Sequence, residues 1–217
     1  EKTAPTITIT SPSAGAYITN TTPTIEFQVK DTDSGVNAGT IAVTVDGIAV
    51  STVTKTAIDG GYKCTCTSPT LKDGSHTISV KASDNDGNAA AAKTATFTVD
   101  TVPPTLQITA PSNDLITNKK TVTVSGKTDD VSSKPVTVTV NGATVTVGTD
   151  GTFTKDVTLA EGANTITIVA KDKAGKTTTV TRKVTVDTSA PVIKSVTLTP
   201  NPVDCGKTFI IAVEITD

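Results

Sequence analysis

Apolar and polar residues alternate through most of the chain, the period of two that a sheet with one buried face requires. In TIEFQVK the apolar positions are Ile25, Phe27 and Val29, and in TIAVTV they are Ile41, Val43 and Val45. The same spacing gives Ile78, Val80 and Ala82 in one later segment and Ala95, Phe97 and Val99 in another. The pattern predicts strands near 5–10, 24–30, 40–46, 48–54, 61–67, 76–83 and 93–99. A second series falls near 104–109, 121–128, 135–141, 143–148, 152–159, 164–171 and 177–186. Asp46-Gly47 and Asn141-Gly142 are the residues of two-residue hairpin turns, whose central positions need positive φ.

The two series are copies of one unit. LKDGSHTISVKASDNDGN (Leu71–Asn88) lies over LAEGANTITIVAKDKAGK (Leu159–Lys176), VTVDGIAV over VTVNGATV, and DGGY over DGTF. A third copy begins near Ala190, with Phe209, Ile211, Val213 and Ile215 alternating in its second strand. About 27 residues cannot close a sandwich. The expected organisation is a first domain at 1–101, a second at 102–188, and the first two strands of an incomplete third at 189–217. About seven short strands in each full copy, with regular turn signals, predict an all-β fold of tandem immunoglobulin-like sandwiches.

The motifs P-x-[IL]-x-I, VNG, DGTF, LAEGANTITIVAKDKAGK and closing VDT-x-x-P resemble the bacterial immunoglobulin-like repeats of secreted and surface proteins. The second copy is also similar to the non-catalytic domain B of glucodextranase-type enzymes. The resemblance covers essentially the whole chain and implies an extracellular or cell-surface setting. It implies no single activity. No tryptophan and no sheet-bridging cysteine pair is available, so the cores must hold by packing.

Composition narrows the functional classes. Threonine and valine are abundant and aromatics make up 3% of the 217 residues, as suits pleated surfaces. With 19 basic against 21 acidic residues, dispersed along the chain, there is no electrostatic footprint for nucleic acid. No apolar run is long enough for a membrane-spanning helix. The chain opens on EKTAP and reads as a piece from within a longer protein. Cys64 and Cys66, two apart on a strand, are expected in the core, while Cys205 lies in the incomplete copy.

Catalytic chemistry has little to draw on. The one histidine, His76, follows the Asp73-Gly74-Ser75 turn, so a Ser-His-Asp group would need all of its geometry at one exposed turn. No catalytic residue is assigned. A carbohydrate platform would need exposed aromatics; Phe27, Phe97, Phe153 and Phe209 fall on core faces, leaving Tyr17 as the exposed candidate.

Loop carboxylates carry the site expectation. Asp31, Asp33, Asp84 and Asp86 should gather at the leading tip of the first copy, expected as its stronger metal site. At the joint to the second copy, Asp129, Asp130 and Asp172 should face Asp100, and at the next joint Asp187 should face Asp217. Clustered carboxylates suit a hard cation such as Ca²⁺. The arrangement is similar to the calcium-stiffened joints of some bacterial immunoglobulin-like arrays and of cadherins, although Lys173, Ala174 and Lys176 depart from it. Val102-Pro103-Pro104 and Ser189-Ala190-Pro191 are short, stiff linkers that restrict module swing. At about 3.3 Å per strand residue, each module would extend an array by roughly 40 Å.

The functional expectation is a non-catalytic spacer that displays another domain of a large extracellular or surface protein. The alternatives are a virion or filament component, and an accessory carbohydrate-binding module of a secreted glycoside hydrolase. Neighbouring modules of the same chain are the expected partners. Self-association through the open strand edge near Thr208–Asp217 is a further possibility.

Overall fold

The computed structural model describes residues 2–199, 205, 206, 208 and 210–216; Phe209 and Asp217, named above, lie outside them. In the first module the strands are β1 (Thr6–Ser11), β2 (Tyr17–Ile18), β3 (Thr24–Lys30), β4 (Val36–Val45), β5 (Ile48–Ala49), β6 (Thr54–Ile58), β7 (Gly61–Thr67), β8 (Gly74–Asp84) and β9 (Lys93–Val99). The second contains β10 (Thr105–Ala110), β11 (Leu115–Thr117), β12 (Thr121–Asp129), β13 (Thr137–Val140), β14 (Ala143–Val145), β15 (Thr152–Thr158), β16 (Gly162–Lys171) and β17 (Thr177–Val186). A hairpin of β18 (Val192–Thr199) and β19 (Ile210–Thr216) follows.

Each module is a two-sheet sandwich. In the first, the sheets run β1-β3-β7-β6 and β2-β9-β8-β4-β5; in the second, β10-β12-β15 and β11-β17-β16-β13-β14. The alternation explains the cores, because every apolar residue named above for the first module is buried between its sheets. The second module repeats this with Val124, Val138, Ile166 and Ile168 fully enclosed. Each such side chain contributes about 1.5–3 kcal/mol by leaving water. Asp46 and Gly47 have φ of 51° and 81°, and Asn141 and Gly142 have 48° and 80°, the backbone of the expected hairpin turns.

Two departures from the sequence pattern have local causes. The first strand of each module is split. β1 pairs antiparallel with β3, the chain passes Pro12, and β2 then pairs parallel with β9 in the other sheet. β10, Pro111 and β11 repeat the switch, with β11 parallel to β17. Proline donates no ladder hydrogen bond, so pairing with the first sheet ends there. The expected strand at 48–54 is only β5 at its start, and β6 begins where it was expected to end. Ile48 and Ala49 return against β4, whereas β6 crosses to pair with β7. The shorter second copy has no counterpart of β6, leaving β15 at an edge.

The modules pack one equivalent point in opposite ways. In the first, Phe27 on β3 lies between Ile9 and Cys64 on the neighbouring strands. In the second, Gly126 on β12 lies between Ile108 and Phe153. At this point each core receives one aromatic ring, supplied from adjacent strands. Cys64 and Cys66 are free, buried thiols; burial raises both pKa values, that of Cys66 to about 11. The β18–β19 hairpin exposes Val192, Ile193, Val196 and Ile211 to solvent.

Candidate metal centre

The joint is built by the ends of strands. β9 delivers Asp100, whose amide donates to the Ile18 carbonyl at 2.8 Å. The loop after β12 delivers Asp130, and the turn after β16 delivers Asp172. In that turn the Asp172 amide donates to the Lys176 carbonyl at 3.1 Å, and the Lys173 amide reaches across to the Ser133 carbonyl at 3.4 Å. Asp100, Asp130 and Asp172 are all buried, and one carboxylate oxygen from each lies within 4.8 Å of the other two.

One oxygen of each is held by the backbone. Asp100 Oδ1 accepts from the Val102 amide at 3.2 Å, and Asp172 Oδ1 from the Lys176 amide at 2.8 Å. Asp130 Oδ1 accepts from the Ser132 and Ser133 amides at 2.8 and 2.7 Å. Asp100 Oδ2, Asp172 Oδ2 and the Ser133 hydroxyl are buried with no hydrogen-bond partner among the described residues. A cavity of about 320 Å³ opens beside Asp100 and Asp130, lined also by Val102, Pro103, Val131 and Ser132.

The remaining acids expected at these tips sit differently. Asp129 is exposed and takes the Lys134 ammonium at 2.7 Å, a hydrogen bond that holds its pKa below the usual carboxylate value. At the leading tip of the first module Asp31 and Asp84 are buried, while Asp33 and Asp86 are exposed. Asp31 Oδ1 accepts from the amides of Asp33 and Gly35 at 3.1 and 3.0 Å. Both oxygens of Asp84 are taken by Asn88, whose amide donates at 2.7 Å and whose side chain donates at 2.6 Å. The fuller carboxylate cluster is therefore at the joint. Asp187 is exposed, and its expected partner Asp217 lies outside the described residues.

Sequence reasoning missed two parts of the joint. Lys173 places its ammonium over the Tyr17 ring, 5.0 Å from the centroid, a cation–π contact between modules. The second part explains why Val-Asp-Thr is spelled at both linkers. Thr101 donates from its amide and its hydroxyl to Asp73 Oδ1, both at 3.0 Å. Thr188 does the same to the two oxygens of Glu161, both at 2.7 Å. Asp73 and Glu161 occupy matching positions in LKDG and LAEG, so each linker threonine is latched to the turn before its module's penultimate long strand. Replacing Asp73 with alanine is expected to loosen this latch by about 1 kcal/mol. Amide exchange at Thr101 should then quicken roughly fivefold; an unchanged rate would show that the latch holds nothing.

His76 is also structural. Its Nδ1 meets Asp46 Oδ2 at 2.7 Å and its Nε2 meets the Lys72 carbonyl at 2.7 Å, beside the Phe97 ring. Burial opposes its charge, but the bonds to Asp46 and Lys72 outweigh that and raise its pKa. With both ring nitrogens engaged, neither is free to serve a nucleophile. The aromatic residues are likewise committed: Phe27, Phe97 and Phe153 are buried, and Tyr17 is half-buried beneath Lys173.

Two sandwiches with split first strands, joined end to end by a latched linker, define a tandem of immunoglobulin-like modules. Residues 5–80 match the bacterial Ig domain family and residues 104–188 match glucodextranase domain B. The chain is 30% identical over 185 residues to Bacillopeptidase F of Bacillus subtilis (strain 168), covering 85% of this chain and 12% of that protein's length. Among solved structures it resembles the fibronectin(III)-like modules of Clostridium thermocellum CbhA, with a TM-score of 0.50 and 19% identity over 84% of this chain and 94% of that one. A three-domain immunoglobulin fragment of titin gives a TM-score of 0.51 at 13% identity, covering 88% of this chain and 68% of the other. At such identities these likenesses establish the fold.

Proposed function

We propose that this chain is a non-catalytic spacer that displays another domain of a larger extracellular or cell-surface protein. The latched Val-Asp-Thr linker carries the reading. A free tether would leave its threonine and aspartate to water, whereas here Asp73 and Glu161 hold Thr101 and Thr188 in place. The aspartates cap the same linkers, Asp100 to the Val102 amide and Asp187 to the Ser189 amide at 3.0 Å. The chain's small share of a much longer peptidase relative supports a segment that serves a multidomain protein. The commitment of His76 to structural hydrogen bonds supports the absence of catalysis.

Small-angle scattering of the whole chain across a dilution series tests this. A spacer gives a monomer whose scattering fits one fixed arrangement of the two modules. A broad distribution of module orientations would overturn the reading. A mass that grows with concentration would instead favour the filament alternative, with the apolar β18–β19 hairpin as the contact.

A further inference from the structure

We propose that the joint between the first and second modules holds one hard divalent cation, with calcium the best fit, on Asp100, Asp130 and Asp172. Ser133, whose amide donates to Asp130 and whose hydroxyl is buried without a partner, is assigned as the source of a fourth oxygen. The spacer reading gives the site a purpose, but its chemistry stands apart from that reading.

Three buried carboxylates converging within 4.8 Å repel one another unless a positive charge sits among them. Two lysines of these loops are turned elsewhere: Lys134 is on Asp129, and Lys173 is on the Tyr17 ring. The orphaned oxygens of Asp100 and Asp172 are the second sign of a missing ligand, since buried polar atoms are nearly always partnered. Ser133 belongs to the same group. Its amide donates to Asp130, its carbonyl accepts from Lys173 next to Asp172, and its hydroxyl is fully buried and unpartnered.

Comparison of the two modules shows how the second became open to an ion. In the first, the Asn88 side chain fills the outer oxygen of Asp84. In the second, the matching residue is Lys176, which contributes its amide to Asp172 Oδ1 and leaves Oδ2 bare. The all-oxygen donor set selects a hard ion over zinc or copper. Ligands drawn from three segments of two modules suit the variable coordination of calcium better than the strict octahedron of magnesium. Three carboxylates place the expected dissociation constant at roughly 10⁻⁴ to 10⁻³ M, the range of extracellular modules.

The test is calorimetric titration of the chelator-treated whole chain with calcium, alongside terbium luminescence excited through tyrosine. One calcium should bind. Asp172→Asn and Asp130→Asn should each weaken it by roughly tenfold or more, whereas Asp129→Asn should leave it unchanged. Tyr17→Phe should remove most of the sensitised terbium emission while calcium binding persists, since Tyr17 lies at the joint. In chelator, the Asp172→Asn and Asp130→Asn chains should melt no lower than the parent, because each loses a repulsive charge; this separates lost binding from lost folding. At calcium about a hundred times the dissociation constant, the unfolded population of the parent should fall about a hundredfold. No binding by the parent, or full binding by both the Asp172→Asn and Asp130→Asn chains, would overturn the site. Calcium binding by a chain whose modules scatter over many orientations would retain the site and remove the spacer.

Discussion

Phe27→Ala is expected to destabilise the first module by about 3–5 kcal/mol and to leave the second module's unfolding transition nearly in place. The side chain is fully buried on the central part of β3, with Ile9 opposite it on β1 and Cys64 opposite it on β7. Neither neighbour can reach into the space the ring vacates: Ile9 is anchored by the ladder, and the cysteine is too short. The loss therefore combines the transfer of the ring with a cavity that stays open. Because the two cores are separate clusters, scanning calorimetry should show one transition moving down by roughly 15 °C or more while the other holds. A shift shared equally by both transitions would mean that the modules unfold as one unit.

That independence follows from a pattern visible in the sequence. Alternation at Ile25, Phe27 and Val29, and again at Ile78, Val80 and Ala82, located the inward faces, because burial of one sheet face is a strictly local, period-two constraint. The Asp-Gly and Asn-Gly turns were equally legible, since their positive φ is a property of two residues. β2 and β11 were not. They have two and three residues, too few for a period, and they exist because the chain changes sheets after Pro12 and Pro111. Most of β6 was missed for a related reason: the threonine-rich run from Ile48 to Ile58 suits a strand throughout and carries no local mark where one strand ends and the next crosses between sheets.

The joint was legible in part. Chain order and loop placement in a sandwich put Asp100, Asp130 and Asp172 at facing ends. Sequence could not separate Asp129 from Asp130, adjacent residues of one type. Alternation separates them in three dimensions: one faces Lys134 and solvent, and the other turns inward onto the Ser132 and Ser133 amides. Ser133 and the Thr101–Asp73 latch gave no signal of their own, because serine and threonine are common throughout this chain. The repeat itself held the clue. Val-Asp-Thr recurs together with an acid in LKDG and LAEG, and that pairing becomes meaningful once the turn is known to lie beside the linker.

The same comparison of copies yields the second large effect. Gly126→Val should destabilise the second module by about 3 kcal/mol, at the upper end of overpacking costs, although valine is a better strand former than glycine. A Cβ at this position would lie 2.5 Å from the Gln107 carbonyl oxygen and 2.7 Å from Phe153 Cζ. The ring can be removed, but the carbonyl belongs to the β10–β12 ladder and cannot withdraw without breaking it. Calorimetry of Gly126→Val and of Gly126→Val/Phe153→Ala, each set against Phe153→Ala alone, separates the two clashes. If the carbonyl contact dominates, valine costs nearly as much in the Phe153→Ala background as in the parent. If the ring dominates, most of the cost vanishes there, and the glycine is explained by the aromatic that the second module supplies from β15 where the first supplies it from β3.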